Sequence, residues 1–222
     1  MNLKFITALC VCLSISFVTF AQVNDTVFWN GRKLIAHGEL LHNSAKYDDA
    51  LSFYSRVSSC DPLYPTACYE SALTLEAKSE YLEGLKKIIE ADSLQPNNAT
   101  TIILKGSLLD DLERYQESIE LLESARLKWP YNQNLLYNLA IVYANISDYN
   151  KAEQLLEQSI KLSPYHAGSH ILLGRINYFM GRLPQSYLAF NMGLLLNPSN
   201  NNITKFENVI TGVTKPSSDS YL

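Results

Sequence analysis

Apolar positions along this chain have helical spacing in blocks of two segments separated by a polar break. Within residues 133–166, one apolar face has the i, i+3, i+4, i+7 spacing of a helix. That face consists of Leu136, Leu139, Ala140 and Tyr143. The polar pair Ser147-Asp148 interrupts the pattern, and a second helix is predicted from about Tyr149 to Leu162. The block therefore predicts a helix–turn–helix hairpin.

The same block recurs every 34 residues, with prolines at Pro62, Pro96, Pro130, Pro164 and Pro198. Tyrosines recur at Tyr47, Tyr81, Tyr115 and Tyr149, with Leu183 in the fifth place. Small residues form three columns: Gly38, Ala72, Gly106, Ala140 and Gly174; Ala50, Gly84, Ser118, Ala152 and Ser186; Val57, Ala91, Ala125, Ser159 and Gly193. Large apolar residues lie between the last two columns, at Tyr54, Ile88, Leu122, Leu156 and Phe190. A fixed period of this length predicts an array of stacked repeats.

Each column has a physical reason in an array of helical hairpins. Small residues let two helices approach closely, and the tyrosines fill the space at the turn. A proline cannot extend the helix before it, so it sets the boundary between one hairpin and the next. Pro184 lies outside the proline column and suits the first turn of a helix.

These columns resemble the tetratricopeptide repeat family, whose 34-residue unit is a helix–turn–helix. The fourth unit matches best, through Leu139, Ala140, Tyr143, Tyr149, Ala152 and Pro164. The resemblance implies an all-α fold, a right-handed α-solenoid of about five helix–turn–helix tetratricopeptide repeats plus a C-terminal capping helix. The five repeats would be residues 31–64, 65–98, 99–132, 133–166 and 167–200.

The N-terminal end predicts export. Residues 1–21 combine a positive start with an apolar run and small final residues, as in a signal peptide cleaved before Gln22. Such cleavage resembles signals of Bacteroidetes bacteria, and we expect a periplasmic or secreted protein. An uncleaved N-terminal anchor is the alternative, and membrane contact is expected only through it. Residues 22–30 would lead into the first repeat.

The C-terminal end predicts a cover for the last repeat. Residues 201–214 have apolar residues at helical spacing, and we predict a capping helix there. A terminal repeat cannot bury its apolar face alone, so it needs such a cover. Residues 215–222 are predicted to be a tail or linker, and a further domain after Leu222 is an open alternative.

Charge and motifs argue against several functions. Without the signal segment the chain has 17 basic and 22 acidic residues, a net charge of −5. Nucleic-acid binding depends on clustered lysine and arginine side chains, so we expect none. The sequence has no glycine-rich phosphate loop, His-Glu-x-x-His, Gly-x-Ser-x-Gly or Cys-x-x-Cys. We therefore predict no enzyme activity, no catalytic residues, no cofactor, no metal and no small-molecule substrate.

Two polar pairs could carry chemistry, and each has a structural alternative. His166 and His170 are four residues apart and could bind a metal from one helix face. His166 is instead predicted in the turn after Pro164, and His170 in a packing slot. Asp110 and Asp111 could act as an acid–base pair, but adjacent helix residues point about 100° apart. We interpret them as a solvated helix end.

Cys60 and Cys68 are the cysteines outside the signal segment. Export would place them where disulfides persist, and a bridge would close a short loop and stabilise by about 2–3 kcal/mol. The alternative is two small residues in buried slots, because neighbouring repeats carry Leu or Ile there. The sequence leaves both possibilities open.

The resemblance also places a candidate binding site, because the family holds extended peptides or partner helices in a concave groove lined by the first helix of each unit. The groove slots give these candidate protein-binding residues: Glu39, Tyr69, Leu73, Glu76, Ile103, Asp110, Tyr137, Asn138, Ile141, Ile171, Arg175, Tyr178 and Phe179. The further slots include His42, Thr66, Thr100, Asp111 and Asn145. A contiguous apolar and aromatic strip favours a binding face. The alternative is that several of these side chains pack within the array.

The polar slots predict the kind of partner. Family members that clamp a C-terminal carboxylate carry Asn and Lys or Arg at fixed groove slots, and here Asn138 is the lone match. Glu39, Glu76, Asp110 and Asp111 would instead make the N-terminal half of the groove acidic. We therefore expect a protein or peptide ligand with apolar and basic segments, since charge of this kind steers and selects.

These observations predict a non-catalytic protein–protein interaction scaffold that binds a peptide or partner protein in the groove of a tetratricopeptide solenoid. One alternative is a structural component of a cell-envelope or secretion assembly, which would bind through its convex face or ends. The other is the recognition arm of a longer enzyme, whose catalytic domain would follow Leu222.

Overall fold

The computed structural model of the chain describes residues 30–198, and this part contains ten α-helices and no strand. Helix α1 covers residues 30–43 of the described part. The others are α2 (Tyr47–Tyr54), α3 (Tyr64–Ala77), α4 (Tyr81–Leu94), α5 (Ala99–Asp111), α6 (Tyr115–Lys128), α7 (Gln133–Asn145), α8 (Tyr149–Leu162), α9 (Ala167–Phe179) and α10 (Leu183–Leu196). The predicted signal segment, capping helix and tail lie outside the described residues. None of these ten helices is both long enough and apolar enough to cross a membrane.

The chain divides into two compact units, Met1–Leu108 and Leu109–Leu222, called unit 1 and unit 2 below. The described part of unit 1 contains the hairpins α1–α2 and α3–α4 and most of α5. Unit 2 contains α6 and the hairpins α7–α8 and α9–α10. The two helices of a hairpin pack on each other, as α3 does on α4 and α7 on α8. The prediction of an all-helical fold built from helical hairpins is confirmed.

One residue in the turn of each hairpin has a left-handed backbone. These residues are Ala45 (φ 56°), Ser79 (62°), Glu113 (58°), Ser147 (64°) and Gly181 (74°), again 34 positions apart. The following amide bonds back five residues, as Lys46 does to the Leu41 carbonyl at 2.9 Å. Such a Schellman helix end prefers glycine, because other side chains are strained there. Only Gly181 of the five meets this preference.

The prolines follow the second helix in four of the five repeats. The residue before each of these prolines has a non-helical backbone, with φ between −125° and −142°: Gln95, Trp129, Ser163 and Asn197. A proline sterically disfavours the helical conformation in its predecessor, so the helix ends there. The first repeat differs, because α2 ends at Tyr54, well before Pro62. Pro184 falls in the first turn of α10, as predicted.

The repeated columns form the core. Every member of the three small-residue columns and of the large apolar column is buried. Gly38 lies against the Tyr54 ring and Gly174 against the Phe190 ring, so closely that an added methyl group would clash. The small residues therefore bring the two helices of a hairpin together, as the sequence predicts.

Candidate functional site

The candidate groove residues lie on α1, α3, α5, α7 and α9, the first helices of the five repeats. Eleven of the thirteen are half-buried, whereas Glu39 and Phe179 are exposed. Those in unit 1 are Glu39, Tyr69, Leu73, Glu76 and Ile103, and the others are in unit 2. Most of these side chains therefore both pack against their own unit and present part of their surface.

Unit 1 contains a pocket of about 220 Å³ beside the starts of α3 and α5. Its lining residues are Pro65, Thr66, Tyr69, Glu70, Ala91, Gln95, Asn98, Thr100 and Thr101. Thr66, Tyr69 and Thr100 are predicted groove slots, so the structure brings three of them to one cavity. Asn98 Oδ1 accepts the Thr100 amide at 3.0 Å and thereby caps α5.

Glu70 is the charged residue of this lining, and it is not among the predicted groove slots. It is half-buried, and burial raises the pKa of its carboxyl to about 7, with a smaller contribution from the charge of Glu39. The same position in the other repeats holds Ala36, Leu104, Asn138 and Leu172. A charged residue in this uncharged column is the sequence feature that could have identified it.

Polar side chains from α1, α2 and α3 meet next to Glu70. The Thr74 hydroxyl donates to the Glu70 carbonyl oxygen at 2.8 Å and lies 2.8 Å from His42 Nδ1. Tyr54 is 1% exposed, and its hydroxyl lies beside the Thr74 side chain. Burial, and then the charge of Glu70, raises the pKa of Tyr54 to about 12. The charge of Glu70 therefore acts on a buried hydroxyl within this polar cluster.

Tyr69 is both a predicted groove slot and a neighbour of Glu70 in the pocket lining. Burial raises its pKa, and the charges of Glu70 and Glu76 add to the effect. The acidic side chains near the pocket are thus Glu39 on α1 and Glu70 and Glu76 on α3. Within unit 1, the predicted acidic character of the groove lies on these two helices.

In unit 2, Asp110 and Asn145 form one polar contact. Asn145 Nδ2 donates to both carboxylate oxygens of Asp110, at 2.9 and 3.0 Å. Burial raises the pKa of Asp110, and the bonds from Asn145 oppose that shift. Asp111 is exposed, as the prediction of a solvated helix end requires, whereas Asp110 is half-buried and bonded across to α7.

His166 is the N-cap of α9, in the turn where the sequence places it. Its Nδ1 accepts the Ser169 amide at 3.1 Å and lies 2.8 Å from the Ser169 hydroxyl. Burial, and then the nearby His170, lowers the pKa of His166. His170 Nε2 lies 2.8 Å from the Pro164 carbonyl oxygen. Within residues 30–198, no three His, Cys, Asp or Glu side chains are grouped so that they could hold a metal ion.

A buried polar chain supports this cap. Gln133 Nε2 donates to the Ser159 hydroxyl at 3.0 Å, and that hydroxyl lies 2.9 Å from the Ser169 hydroxyl. Ser159 and Ser169 are both 0% exposed. Tyr137 packs edge-on against His166, with ring centroids 4.8 Å apart. Tyr137 therefore supports the start of α9 in addition to occupying a groove slot.

The groove residues of α9 divide between core and surface. Ile171 and Tyr178 are partly buried against Phe190. Phe179 is 44% exposed and stacks on Tyr149, with ring centroids 5.8 Å apart. Phe179 is therefore the more accessible aromatic group.

The remaining groove slots of unit 2 lie on α7 and α9. Asn138 Nδ2 donates to the Asn134 carbonyl oxygen of its own helix at 2.8 Å. Arg175 lies close enough to Tyr137 to lower its pKa, against the larger effect of burial. Ile141 is half-buried on α7. The amide of Asn138, the lone match to a carboxylate clamp, is thus already hydrogen-bonded within the chain.

Cys60 and Cys68 are both free thiols, so the structure contains no bridge between them. Cys68 is buried, as the second possibility predicts, whereas Cys60 is exposed. Burial raises the pKa of the Cys68 thiol, and the charge of Glu90 adds to this. The Tyr64 hydroxyl donates to Glu90 Oε1 at 2.7 Å and ties α3 to α4 beside that thiol.

Comparisons with known proteins agree with this fold. The tetratricopeptide repeat family model matches residues 111–159, which lie in unit 2. The Arabidopsis thaliana protein named "Cell division cycle protein 27 homolog A" is 25% identical over 114 residues, or 51% of this chain. The matched segment is only 16% of that relative's length. The likeness therefore concerns the repeats and not the whole relative.

Two solved structures extend the likeness to most of the chain. TTC0263, a thermophilic TPR protein of Thermus thermophilus, has a TM-score of 0.73 and 19% identity, covering 82% of this chain and 98% of that chain. YrrB, described as a TPR protein with an unusual peptide-binding site, has a TM-score of 0.55 and 16% identity, covering 85% of this chain and 97% of that chain. At these identities the likeness establishes the fold, which is that of a tetratricopeptide repeat protein.

Proposed function

We propose that this chain is a non-catalytic scaffold that binds a protein or peptide along the first helices of its repeats. The observation that carries the proposal is the series of half-buried apolar and aromatic side chains at the groove slots. Arrays of this kind present concave binding surfaces, and tyrosine is favoured as an interface anchor. The peptide-binding site named for YrrB adds support by analogy of fold. A partner with apolar and basic segments fits the half-buried apolar groups and the acidic side chains on α1 and α3.

A second candidate is a structural role in an envelope or secretion assembly. Its support comes from two exposed tyrosines outside the groove slots, Tyr131 and Tyr165, which are 81% and 83% exposed. They occupy the same position in successive repeats, directly after Pro130 and Pro164. Repeated exposed aromatics at the ends of hairpins would suit a partner that binds away from the groove.

Crosslinking and pull-down from native cells with two matched double variants distinguish these candidates. Tyr69→Ser with Phe179→Ser alters the groove, and Tyr131→Ser with Tyr165→Ser alters the turns. We expect the groove variant to lose its crosslinked partners and the turn variant to keep them. The opposite result would support the assembly role. Circular dichroism of both variants checks that the fold is retained.

Export is part of the same proposal. The supporting feature is the sequence of residues 1–21, with its positive start and apolar run. Fractionation of native cells and mass spectrometry of the mature N-terminus test it. We expect an envelope or extracellular protein that begins at Gln22, and a cytosolic protein that begins at Met1 would contradict it.

A further inference from the structure

We propose that the pocket of unit 1 receives a lysine or arginine side chain of the bound partner, with Glu70 as its counter-ion. The inference rests on the proposed function, because it assumes a protein partner along the first helices. It goes further by naming one pocket, one residue and the chemistry of the group that enters.

The size of the pocket suits a single side chain. Its volume of about 220 Å³ is below the roughly 300–1,000 Å³ of typical pockets for drug-sized ligands. Thr66, Tyr69 and Thr100 place it among the groove slots, so a partner lying on α3 and α5 would pass over it. The lining thus combines an aromatic ring, several hydroxyls and one carboxylate, which are groups that surround the stem and head of a long cationic side chain.

The lining of the pocket carries one charge, and that charge is negative. Glu70 is the charged group of the lining, and no described residue donates a hydrogen bond to its carboxylate or forms an ion pair with it. The neighbouring charge that acts on it would repel it, since Glu39 on α1 is also acidic. Ala91 and Gln95 add the C-terminal end of α4, where the helix dipole favours a cation. The N-terminal end of the α5 dipole is positive and favours an anion. However, Asn98 Oδ1 already accepts the Thr100 amide there.

Tyr54 is a buried neighbour of Glu70 and is not among the residues that line the pocket. The charges of Glu70 and Glu39 both raise its pKa. The negative charge of Glu70 therefore acts on this buried neighbour as well as in the pocket, and a cation beside the carboxylate would compensate it.

Other occupants fit less well. A divalent cation prefers several carboxylate or imidazole ligands, and residues 30–198 contain no group of three that could hold one. An anion would be repelled by Glu70 and Glu39. A neutral apolar side chain would leave the Glu70 carboxylate without a partner.

Binding of a cation should depend on the protonation state of the Glu70 carboxyl. The carboxyl of Glu70 has a pKa of about 7, so near neutral pH a large fraction of it carries a proton. A cation binds the ionised form, so affinity should rise between about pH 6 and pH 8 and binding should release a proton. The titratable groups that interact electrostatically with Glu70 are Glu39 on α1, Tyr54 on α2 and Tyr69 on α3. The lining residues from α4 and α5 carry no charge.

The test uses the full mature chain and short blocked peptides. The probes are acetyl-Ala-Ala-Lys-Ala-Ala-amide, the same peptide with arginine, and the same peptide with norleucine in place of lysine. Binding is followed by NMR shifts of the labelled protein at pH 6 and pH 8. The variants are Glu70→Gln, Glu70→Leu, and Glu83→Gln as a control with an exposed carboxylate on α4. Leucine at position 70 matches Leu104 and Leu172 in other repeats, so that variant should fold.

We expect the lysine or arginine peptide to shift signals of Thr66, Tyr69 and Thr100, with at least tenfold weaker binding of the norleucine peptide. Both Glu70 variants should weaken the cationic peptides at least tenfold and abolish the rise in affinity with pH, whereas Glu83→Gln should not. Equal binding of norleucine, or unchanged binding by Glu70→Gln, would overturn the proposal. If Glu70→Gln retains native partners that Tyr69→Ser with Phe179→Ser loses, the pocket inference fails and the scaffold stands. The scaffold proposal fails instead if the peptides bind as expected but native partners still bind the Tyr69→Ser, Phe179→Ser variant.

Discussion

Hairpins α3–α4 and α7–α8 occupy the same place in the repeat, two periods apart, but they bury different side chains. Helix α7 buries large apolar residues: Leu135, Leu136, Leu139, Ala140, Val142 and Tyr143. Helix α3 buries smaller and more polar ones: Ala67, Cys68, Ser71, Ala72, Thr74 and Leu75. The N-caps Asn132 and Asp148 of α7 and α8 accept backbone amides, whereas Leu63 and Glu80 of α3 and α4 make no such bond.

This difference shows that one repeat pattern supports two kinds of hairpin. The α7–α8 hairpin has a filled core and capped ends, and the family match at residues 111–159 covers most of it. The α3–α4 hairpin has smaller buried side chains, a neighbouring pocket and a half-buried carboxylate. Glu70 corresponds to Asn138, whose amide bonds to its own helix. Polar groups without partners are costly in a core, and they concentrate at functional sites.

The largest expected effect is on the free energy of unfolding, and it distinguishes the core of the α7–α8 hairpin from that of the α3–α4 hairpin. Leu136 and Cys68 occupy the same slot and are 1% and 2% exposed. Leu136→Ala should lower the free energy of unfolding by about 2–5 kcal/mol, because it leaves a cavity in a filled core. Cys68→Ala removes a smaller side chain and should cost roughly 1 kcal/mol. Urea unfolding measures both, and equal losses would show that the two cores are packed alike.

The next effect is a pH dependence confined to the α3–α4 hairpin. Burial raises the pKa of Glu70 from 4.5 to about 7, so its contribution to stability is fully present below pH 4.5 and is lost as pH rises through 7. After allowance for solvent screening, Glu70→Gln should gain roughly 1–2 kcal/mol over the native chain at pH 8 relative to pH 4.5. Glu83→Gln is the control, and urea unfolding at both pH values is the measurement. The absence of any pH-dependent difference would place Glu70 in solvent.

The end of the α7–α8 hairpin should respond to pH in the opposite direction. Burial lowers the pKa of His166, so the stability from its neutral form is present above its ordinary pKa of 6.5 and is lost as pH falls through the lowered value. His166→Ala should cost about 1 kcal/mol at pH 8 through loss of the cap, and less at low pH. His166→Asn copies Asn98, which caps α5 at the same position of the repeat. That variant should keep the cap without the pH response, and thermal unfolding across pH 5–8 compares the three chains.

The smallest effect should be equal in the two hairpins. Ser79 and Ser147 occupy the same turn position, with φ of 62° and 64°. Ser79→Gly and Ser147→Gly should each stabilise by about 0.5–1 kcal/mol, because glycine adopts this conformation without strain. Gly181→Ala is the converse substitution and should destabilise the chain. An added methyl group would meet nothing within 4 Å, so the cost would come only from the strained backbone conformation. A stabilisation in one hairpin and not in the other would mean that their turns differ.

Much of the fold could be predicted because its determinants are local and repeat. The period of 34 located the hairpins, and the prediction of a helix from Tyr149 to Leu162 matches α8. The small and large columns proved to be buried. The left-handed turn residues were missed because Ala45, Ser79, Glu113 and Ser147 do not follow the usual glycine preference.

The site was less predictable because its properties depend on neighbours distant in sequence. Asp110 was interpreted as solvated, but Asn145 reaches it from α7. Glu70 was missed because its raised pKa comes from burial between helices and from Glu39, which is 31 positions away. The predicted groove slots remain a prediction, and the structure adds the pocket that joins three of them.

The sequence by itself determined the repeat, the ends of the second helices in four of the five repeats and the core columns, because spacing, proline sterics and side-chain volume act over short stretches of chain. Only the tertiary structure decided which polar groups lose water and which partners they meet. Desolvation depends on how helices pack, and no column of residues records it. The fold can therefore be predicted from its period, whereas the pocket of Glu70 exists only in the packed unit.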